Sequence, residues 1–300
     1  MILLTRGSLL ERIKSTTSHA ISSGALLPIP TDYTFIEDGG IRFFIRILSS
    51  LSRKDEARKK QKQQTEAGKS VNPFLPPEKE LTVADISETH IAILNKYNVM
   101  ERHLLIITRH FEDQDMLLTL SDFEALWTCM AEYDALGFYN GGREAGASQQ
   151  HRHMQMVPLP LAPEGPAIPI APLVACVPEE GMGVVPGFAF LHVFTRLDRN
   201  LAKSPLDTAS TTFKLYGNMM RHLGLASMRD LHLARRSAPY CLLITRDWML
   251  LVARSKEFFE GISFNSLAFA GSLFVRDVEQ LNRLKTFGPM NALNSVAINR

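Results

Sequence analysis

Residues 138–160 read Phe-Tyr-Asn-Gly-Gly-Arg-Glu-Ala-Gly-Ala-Ser-Gln-Gln-His-Arg-His-Met-Gln-Met-Val-Pro-Leu-Pro. Phe138 to Asn140 begin a strand that breaks at Gly141 and Gly142, and the chain resumes as a strand through Val157. Side chains alternate faces along a strand, so His151, His153 and Gln155 share one face. Arg152, Met154 and Met156 share the other, where the two methionines suit a core. Three nitrogen-bearing groups in a row on one face are costly to bury without partners. The loop before them, Gly146-Ala147-Ser148-Gln149, can close backbone N–H groups on an anion, because glycine takes dihedrals that other residues resist. Ser148 and Gln149 add side-chain donors.

A phosphate cradle leading into a histidine ladder suits nucleophilic chemistry. Imidazole is substantially neutral near pH 7 and can attack phosphorus, splitting one transfer into two. The neighbouring histidine and the amide would hold the phosphoryl oxygens as charge develops on them. Two alternatives stand beside this reading. Either histidine alone could be a satisfied core residue. Both together could ligate zinc, with distant residues such as His192 or His232 completing the set.

Outward from the motif, Leu4, Leu9, Leu10 and Ile13 predict an amphipathic first helix. Asp38-Gly39-Gly40 reads as a turn into a strand over Ile41 to Leu48, and the basic stretch Arg53 to Lys69 as a phosphate-approaching flap or a solvated segment. His90 to Asn95 and His103 to Thr108 read as adjacent antiparallel strands. Ser121 with Glu124 suggests a capping box for a helix running to about Leu136 and stopped by Gly137. Seven prolines in residues 158–178 argue against helix or central strand there and for an ordered crossing. Beyond it, the pattern predicts a strand over Phe188 to Phe194, a helix over Thr211 to Leu223, and a hairpin over Cys241 to Arg254 turning at Arg246-Asp247. Gly261 to Val275 is rich in small residues and should pack closely.

A net charge of +2 excludes a nucleic-acid-scale basic surface but leaves room for a local anion site. Cys129, Cys176 and Cys241 are far apart and match no zinc or redox spacing, which suits buried thiols in a reducing compartment. The short apolar run Ile2 to Leu4 is followed at once by charged residues, unlike an export signal, and no stretch has the roughly 18 apolar residues of a membrane span. A cytoplasmic, soluble protein with no membrane or nucleic-acid partner is expected.

The stretch from Phe138 to Pro160 resembles the ATP adenylyltransferase (diadenosine tetraphosphate phosphorylase) family of the histidine-triad superfamily. Asn72-Pro73-Phe74, Leu94-Asn95-Lys96, Arg102 to Gln114, and Leu242 to Ile262 are also similar, so the resemblance covers most of the chain. It implies an α+β fold of the HIT-like type, a mixed or antiparallel sheet with flanking helices. Residues 1–160 would be the nucleotidyltransferase region, 161–186 a Pro-rich connection, and 187–300 a C-terminal region completing the same body. The implied reaction converts diadenosine 5',5'''-P1,P4-tetraphosphate and phosphate to ATP and ADP through an AMP-histidine intermediate. The implied nucleophile is His153, with His151 and Gln155 orienting it and binding phosphates. Gly146, Ala147, Ser148 and Gln149 match the phosphate loop, Asn140 a ligand-binding asparagine, and Leu94 and Asn95 the nucleoside-side segment. Lys54 and Lys256 match basic residues near the polyphosphate. A divalent cation such as Mg2+ would accompany the polyphosphate, with no protein metal ligands implied. Histidine-triad hydrolases carry a third histidine where Gln155 stands, so the amide would favour phosphate over water as acceptor. Cys241 departs from the family pattern, where an asparagine is expected, and Ala253 stands in place of a proline. The competing functions are a uridylyltransferase-like enzyme, against which the absence of paired cysteines speaks, and a non-catalytic nucleotide-binding protein.

Overall fold

The computed structural model describes residues 1–48, 72–178, 181–198, 204–226 and 238–300. The basic stretch Arg53 to Lys69, with Lys54, and His232 lie outside the described residues. In chain order the elements are α1 (Leu9–Ser22), β1 (Thr31–Asp38), β2 (Ile41–Leu48), β3 (Thr82–Asp85), β4 (His90–Leu94), β5 (Leu104–Thr108), α2 (Leu120–Met130), β6 (Ala135–Gly141) and β7 (His153–Pro158). They continue with α3 (Ala171–Ala175), β8 (Met182–Gly183), β9 (His192–Arg196), α4 (Pro205–His222), β10 (Tyr240–Ile244), β11 (Trp248–Ala253), β12 (Phe258–Phe259), β13 (Ile262–Ser263), α5 (Ser266–Phe269), β14 (Ser272–Val275), α6 (Val278–Phe287) and α7 (Pro289–Val296).

The fold is α+β. Nine strands form one antiparallel sheet in the order β3-β4-β5-β7-β6-β10-β11-β9-β8, and β1-β2-β14 form a smaller one in which β14 runs parallel to β2. The large sheet is continuous across the proline-rich segment, because β10 pairs with β6. Alternation along its strands sorts side chains between two cores. Tyr139, Met154, Met156, Leu242 and Met249 face a layer of α1, α2 and α4. Phe138, Val157, Leu243 and Leu250 face the small sheet and the C-terminal helices. Arg152 and the methionines therefore point away from His153 and Gln155, as the strand period requires. No helix among the described residues is long and apolar enough to cross a membrane.

Several elements differ from the sequence expectation for reasons of tertiary packing. The capping box is Thr119 with Asp122, two residues before the expected pair. Asp122 is fully buried, bonded to His90 Nε2 at 3.0 Å and Arg152 Nη1 at 3.2 Å, so the helix start is anchored across the sheet. The helix ends at Met130, and Gly137 sits inside β6 instead of stopping it. A Cβ at Gly137 would lie 3.0 Å from Leu126, so this glycine serves close helix–sheet approach. The proline segment does contain a short helix, α3, with Pro172 in its first turn, where a missing N–H costs nothing. The strand expected at Phe188 to Phe194 lies at His192–Arg196.

Candidate active site

The histidine ladder stands where two neighbouring strands separate. β6 and β7 pair from Ala135↔Pro158 to Phe138↔Gln155 and then stop, although Asn140 would oppose His153 in the same register. Beyond that point β6 continues only against β10, and β7 only against β5. Residues 150–152 leave the sheet edge and pair with the segment 112–114: Gln114 N donates to Gln150 O at 2.7 Å and Arg152 N to Glu112 O at 2.7 Å. His151 thus lies just outside β7, in an isolated bridge to Asp113.

His153 is 3% exposed, with its backbone N–H donated to Gln114 Oε1 at 2.8 Å. Its Nδ1 lies 2.8 Å from His151 O. A carbonyl only accepts, so Nδ1 carries the ring proton and Nε2 keeps a bare lone pair. Burial pushes the ring's pKa down to about 4, which keeps it neutral. Phe74 stands edge-on at 5.3 Å between ring centroids and walls off one side.

The His151 ring is bonded at both nitrogens. Asn72 Nδ2 lies 2.9 Å from its Nδ1, while Nε2 lies 2.8 Å from Thr108 O and 2.9 Å from Thr108 Oγ1. Both ring nitrogens are occupied, so His151 orients His153 through its carbonyl and has no ring nitrogen left for a phosphate or a zinc ion. His192, the other candidate ligand, is likewise spent on Phe190 O and Val185 N. Among the described residues no group of three or more His, Cys, Asp or Glu is placed to hold a metal.

Gln155 belongs to a polarised relay. Asn95 Nδ2 donates to His103 Nδ1 at 3.3 Å, and His103 Nε2 donates to Gln155 Oε1 at 2.9 Å. With its oxygen engaged, Gln155 presents its NH2 group as a donor. Asn140 is arranged the same way: its Oδ1 accepts Ser266 N at 2.9 Å and Ser266 Oγ at 2.7 Å, leaving Nδ2 to donate. Two amides are thus turned donor-outward on the face that carries the Nε2 lone pair, an arrangement suited to phosphoryl oxygens.

The glycine loop is a 3-10 turn over Arg143–Ala145, flanked by Gly142 at φ 103° and Gly146 at φ 93°. Gly146 N bonds Arg143 O at 2.9 Å and Ala147 N bonds Gly142 O at 3.1 Å, so these two N–H groups shape the loop and are not free for an anion. Ser148 is exposed and Gln149 half-buried beyond them. Behind the loop lies Arg254, wholly buried, whose guanidinium donates to Ala145 O at 3.3 Å, Lys256 O at 2.8 Å, Phe264 O at 2.9 Å and Val296 O at 3.0 Å. It ties the loop to the backbone of exposed Lys256. Cys241 touches this guanidinium at 3.1 Å and is itself buried, so it supports the loop from behind. Leu94 packs into the helix-side core, and beside it a cavity of about 360 Å³ is lined by Asn95, His103, Asn98 and Thr17.

Gln114, Thr108, His103, Ser266 and Arg254 carry this geometry without having been singled out from the sequence. Only His103 had a readable signal, since it precedes a strand whose odd residues share a face. The others act chiefly through contacts across 26 to 127 residues, which no local pattern encodes.

Comparison with known proteins agrees with the geometry. Residues 1–176 match the Ap4A phosphorylase N-terminal domain, and residues 186–299 the ATP adenylyltransferase C-terminal domain. The chain is 25% identical over 270 residues to diadenosine 5',5'''-P1,P4-tetraphosphate phosphorylase 2 of Saccharomyces cerevisiae, covering 81% of this chain and 79% of the yeast protein. It is 24% identical to Protein APA1 of the same yeast, covering 88% and 86%. The crystal structure of yeast Ap4A phosphorylase Apa2 superposes with a TM-score of 0.79 at 21% identity, over 100% of this chain and 96% of that one. The same yeast enzyme in complex with Ap4A gives 0.78 at 20% identity, over 100% and 99%.

Proposed function

This chain belongs to the Ap4A phosphorylase family of nucleotidyltransferases, and on that premise we propose that it splits diadenosine tetraphosphate with inorganic phosphate, using His153 as nucleophile. The observation that carries the assignment is the Nδ1–H bond to His151 O, which leaves a neutral, buried Nε2 lone pair. Nε2 attacks the phosphorus of one terminal AMP unit. The bond to the bridging oxygen breaks, ATP leaves with its electron pair, and AMP stays on the ring. The ring becomes cationic without losing a proton, and its Nδ1–H bond to the carbonyl strengthens accordingly. Inorganic phosphate then attacks the same phosphorus, the P–N bond breaks, and ADP leaves with His153 neutral again.

Asn140 Nδ2 and Gln155 Nε2 donate to the phosphoryl oxygens as charge builds. An amide cannot take a proton from water at neutral pH, which supports reading Gln155 as favouring phosphorolysis over hydrolysis. Lys256 and Ser148 suit the polyphosphate, and the Asn95 cavity suits a nucleoside. A divalent cation such as Mg2+ would arrive on the polyphosphate as part of the substrate, since the described residues offer no ligand cluster for a resident ion. A cytoplasmic setting, where nucleotides and phosphate are abundant, accords with three unpaired cysteines.

The test is to incubate the protein with adenine-labelled Ap4A, quench, and recover acid-labile AMP on the protein. Label on wild type and none on His153→Ala is expected, with ADP and ATP appearing together once phosphate is added. Equal labelling of His153→Ala, or AMP released at full rate without phosphate, would overturn the proposal.

A further inference from the structure

Where β6 and β7 part, the ladder bonds that Asn140 and His153 would exchange are missing, yet their backbone groups are buried. Gly142 N donates to Asn140 O at 2.9 Å, which leaves His153 N–H and C=O to find partners; unpaired backbone groups in such a place are costly, so something must replace the partner strand. One side chain does. Gln114, 2% exposed, accepts His153 N–H on Oε1 at 2.8 Å and donates from Nε2 to Asn140 O at 2.9 Å and His153 O at 3.4 Å. The amide has both a donor and an acceptor end, as a peptide group has, and it spans the gap in the register a strand would have filled.

The clamp is itself rigidly held. Gln114 N donates to Gln150 O at 2.7 Å, and Tyr139 Oη donates to Gln114 O at 2.6 Å. The segment that carries Gln114 is the same one that draws residues 150–152 away from β6. His153's ring direction follows from the backbone at 151–153, because Nδ1 is tied to His151 O. Fixing His153 at N–H and C=O therefore fixes where Nε2 points. The Gln114 bond to Asn140 O, beside the one from Gly142 N, links the strand of the donor amide to that of the nucleophile.

We propose that Gln114 is a positioning residue for the nucleophile: its side-chain amide stands in for the missing β6–β7 pairing and holds His153 and Asn140 in reacting register. The proposal rests on His153 being the nucleophile, but part of its test does not.

The variants are Gln114→Met, which removes both ends of the clamp at similar volume, and Gln114→Glu, which keeps the acceptor and removes the donor. Single-turnover adenylylation by Ap4A should slow about 100-fold in Gln114→Met, the scale expected when a reacting atom is misplaced by about 1 Å. It should slow by less in Gln114→Glu, while Kd for Ap4A, measured by calorimetry on a His153→Asn background, changes less than about threefold in both. A loss of rate and affinity together would mark Gln114 as merely structural and overturn the proposal, as would a rate within threefold of wild type in Gln114→Met. Should Gln114→Met fail to fold, two NMR readouts on wild type decide. The His153 amide proton should exchange slowly, and the His153 ring should show a protonated Nδ1. Rapid exchange of that amide would overturn the clamp. These two readouts need no turnover, so a wild type that never takes label would refute the phosphorylase reading and leave Gln114's bonding independently measured.

Discussion

Acidification separates His153 from an ordinary histidine. A ring with the usual value of 6.5 is about one-tenth neutral at pH 5.5, whereas one pushed down to about 4 stays about 97% neutral there. If neutral Nε2 is the nucleophile, adenylylation by Ap4A should be nearly flat from pH 7.5 to 5.5 and decline only as pH approaches 4. The first half-reaction is the right assay, because the internal phosphates of Ap4A stay ionised throughout this range, whereas inorganic phosphate titrates near neutrality and would distort full turnover. Rapid quench across this range, beside a 15N titration of the His153 ring, measures rate and protonation together. Stability moves in the same sense. The fold prefers the neutral ring, so its contribution is complete above 6.5 and is lost as pH falls toward 4, by about 3 kcal/mol in all. A tenfold fall in adenylylation between pH 7 and 5.5, with the ring titrating near 6.5, would refute the argument from burial.

Three substitutions test the surroundings. Gly146→Ala forces a positive φ on a residue with a Cβ, and places that Cβ 2.8 Å from Asn265 Cβ and 3.0 Å from Phe264 O; about 1–3 kcal/mol of stability should be lost, with weaker Ap4A binding by calorimetry. Ser266→Ala removes the hydroxyl bond that keeps Asn140 turned donor-outward, so Ap4A affinity should fall several-fold, corresponding to about 1 kcal/mol, with little change in Tm. Arg254→Met strips buried donors from Ala145, Lys256, Phe264 and Val296 carbonyls at once, and should cost about 3 kcal/mol or more in chemical denaturation. Unchanged stability in Arg254→Met would contradict the role given to it behind the loop.

What the sequence disclosed, and what it withheld, follows from the range of the forces involved. Strand alternation is local, so the shared face of His153 and Gln155 and the opposite face of Arg152 and Met154 were legible from spacing alone. The hairpin at Arg246-Asp247 and the strand pair His90↔Thr108 were legible for the same reason. Chemical assignment inside the motif was another matter. His151 and His153 look equivalent in the sequence, both histidines on one face, two residues apart. They differ because Asn72 and Thr108 arrive from 79 and 43 residues away to occupy both nitrogens of one ring, while the other keeps a lone pair. The loop shows the same limit: its glycines announced unusual dihedrals, but the N–H groups at Gly146 and Ala147 are consumed in making the turn. Polar partners decide which of several similar groups is reactive, and polar partners are recruited by tertiary structure. A motif therefore locates a site more reliably than it divides the labour within it, and here that division rests on one carbonyl, His151 O, accepting the proton that would otherwise leave the position of the nucleophilic nitrogen undetermined.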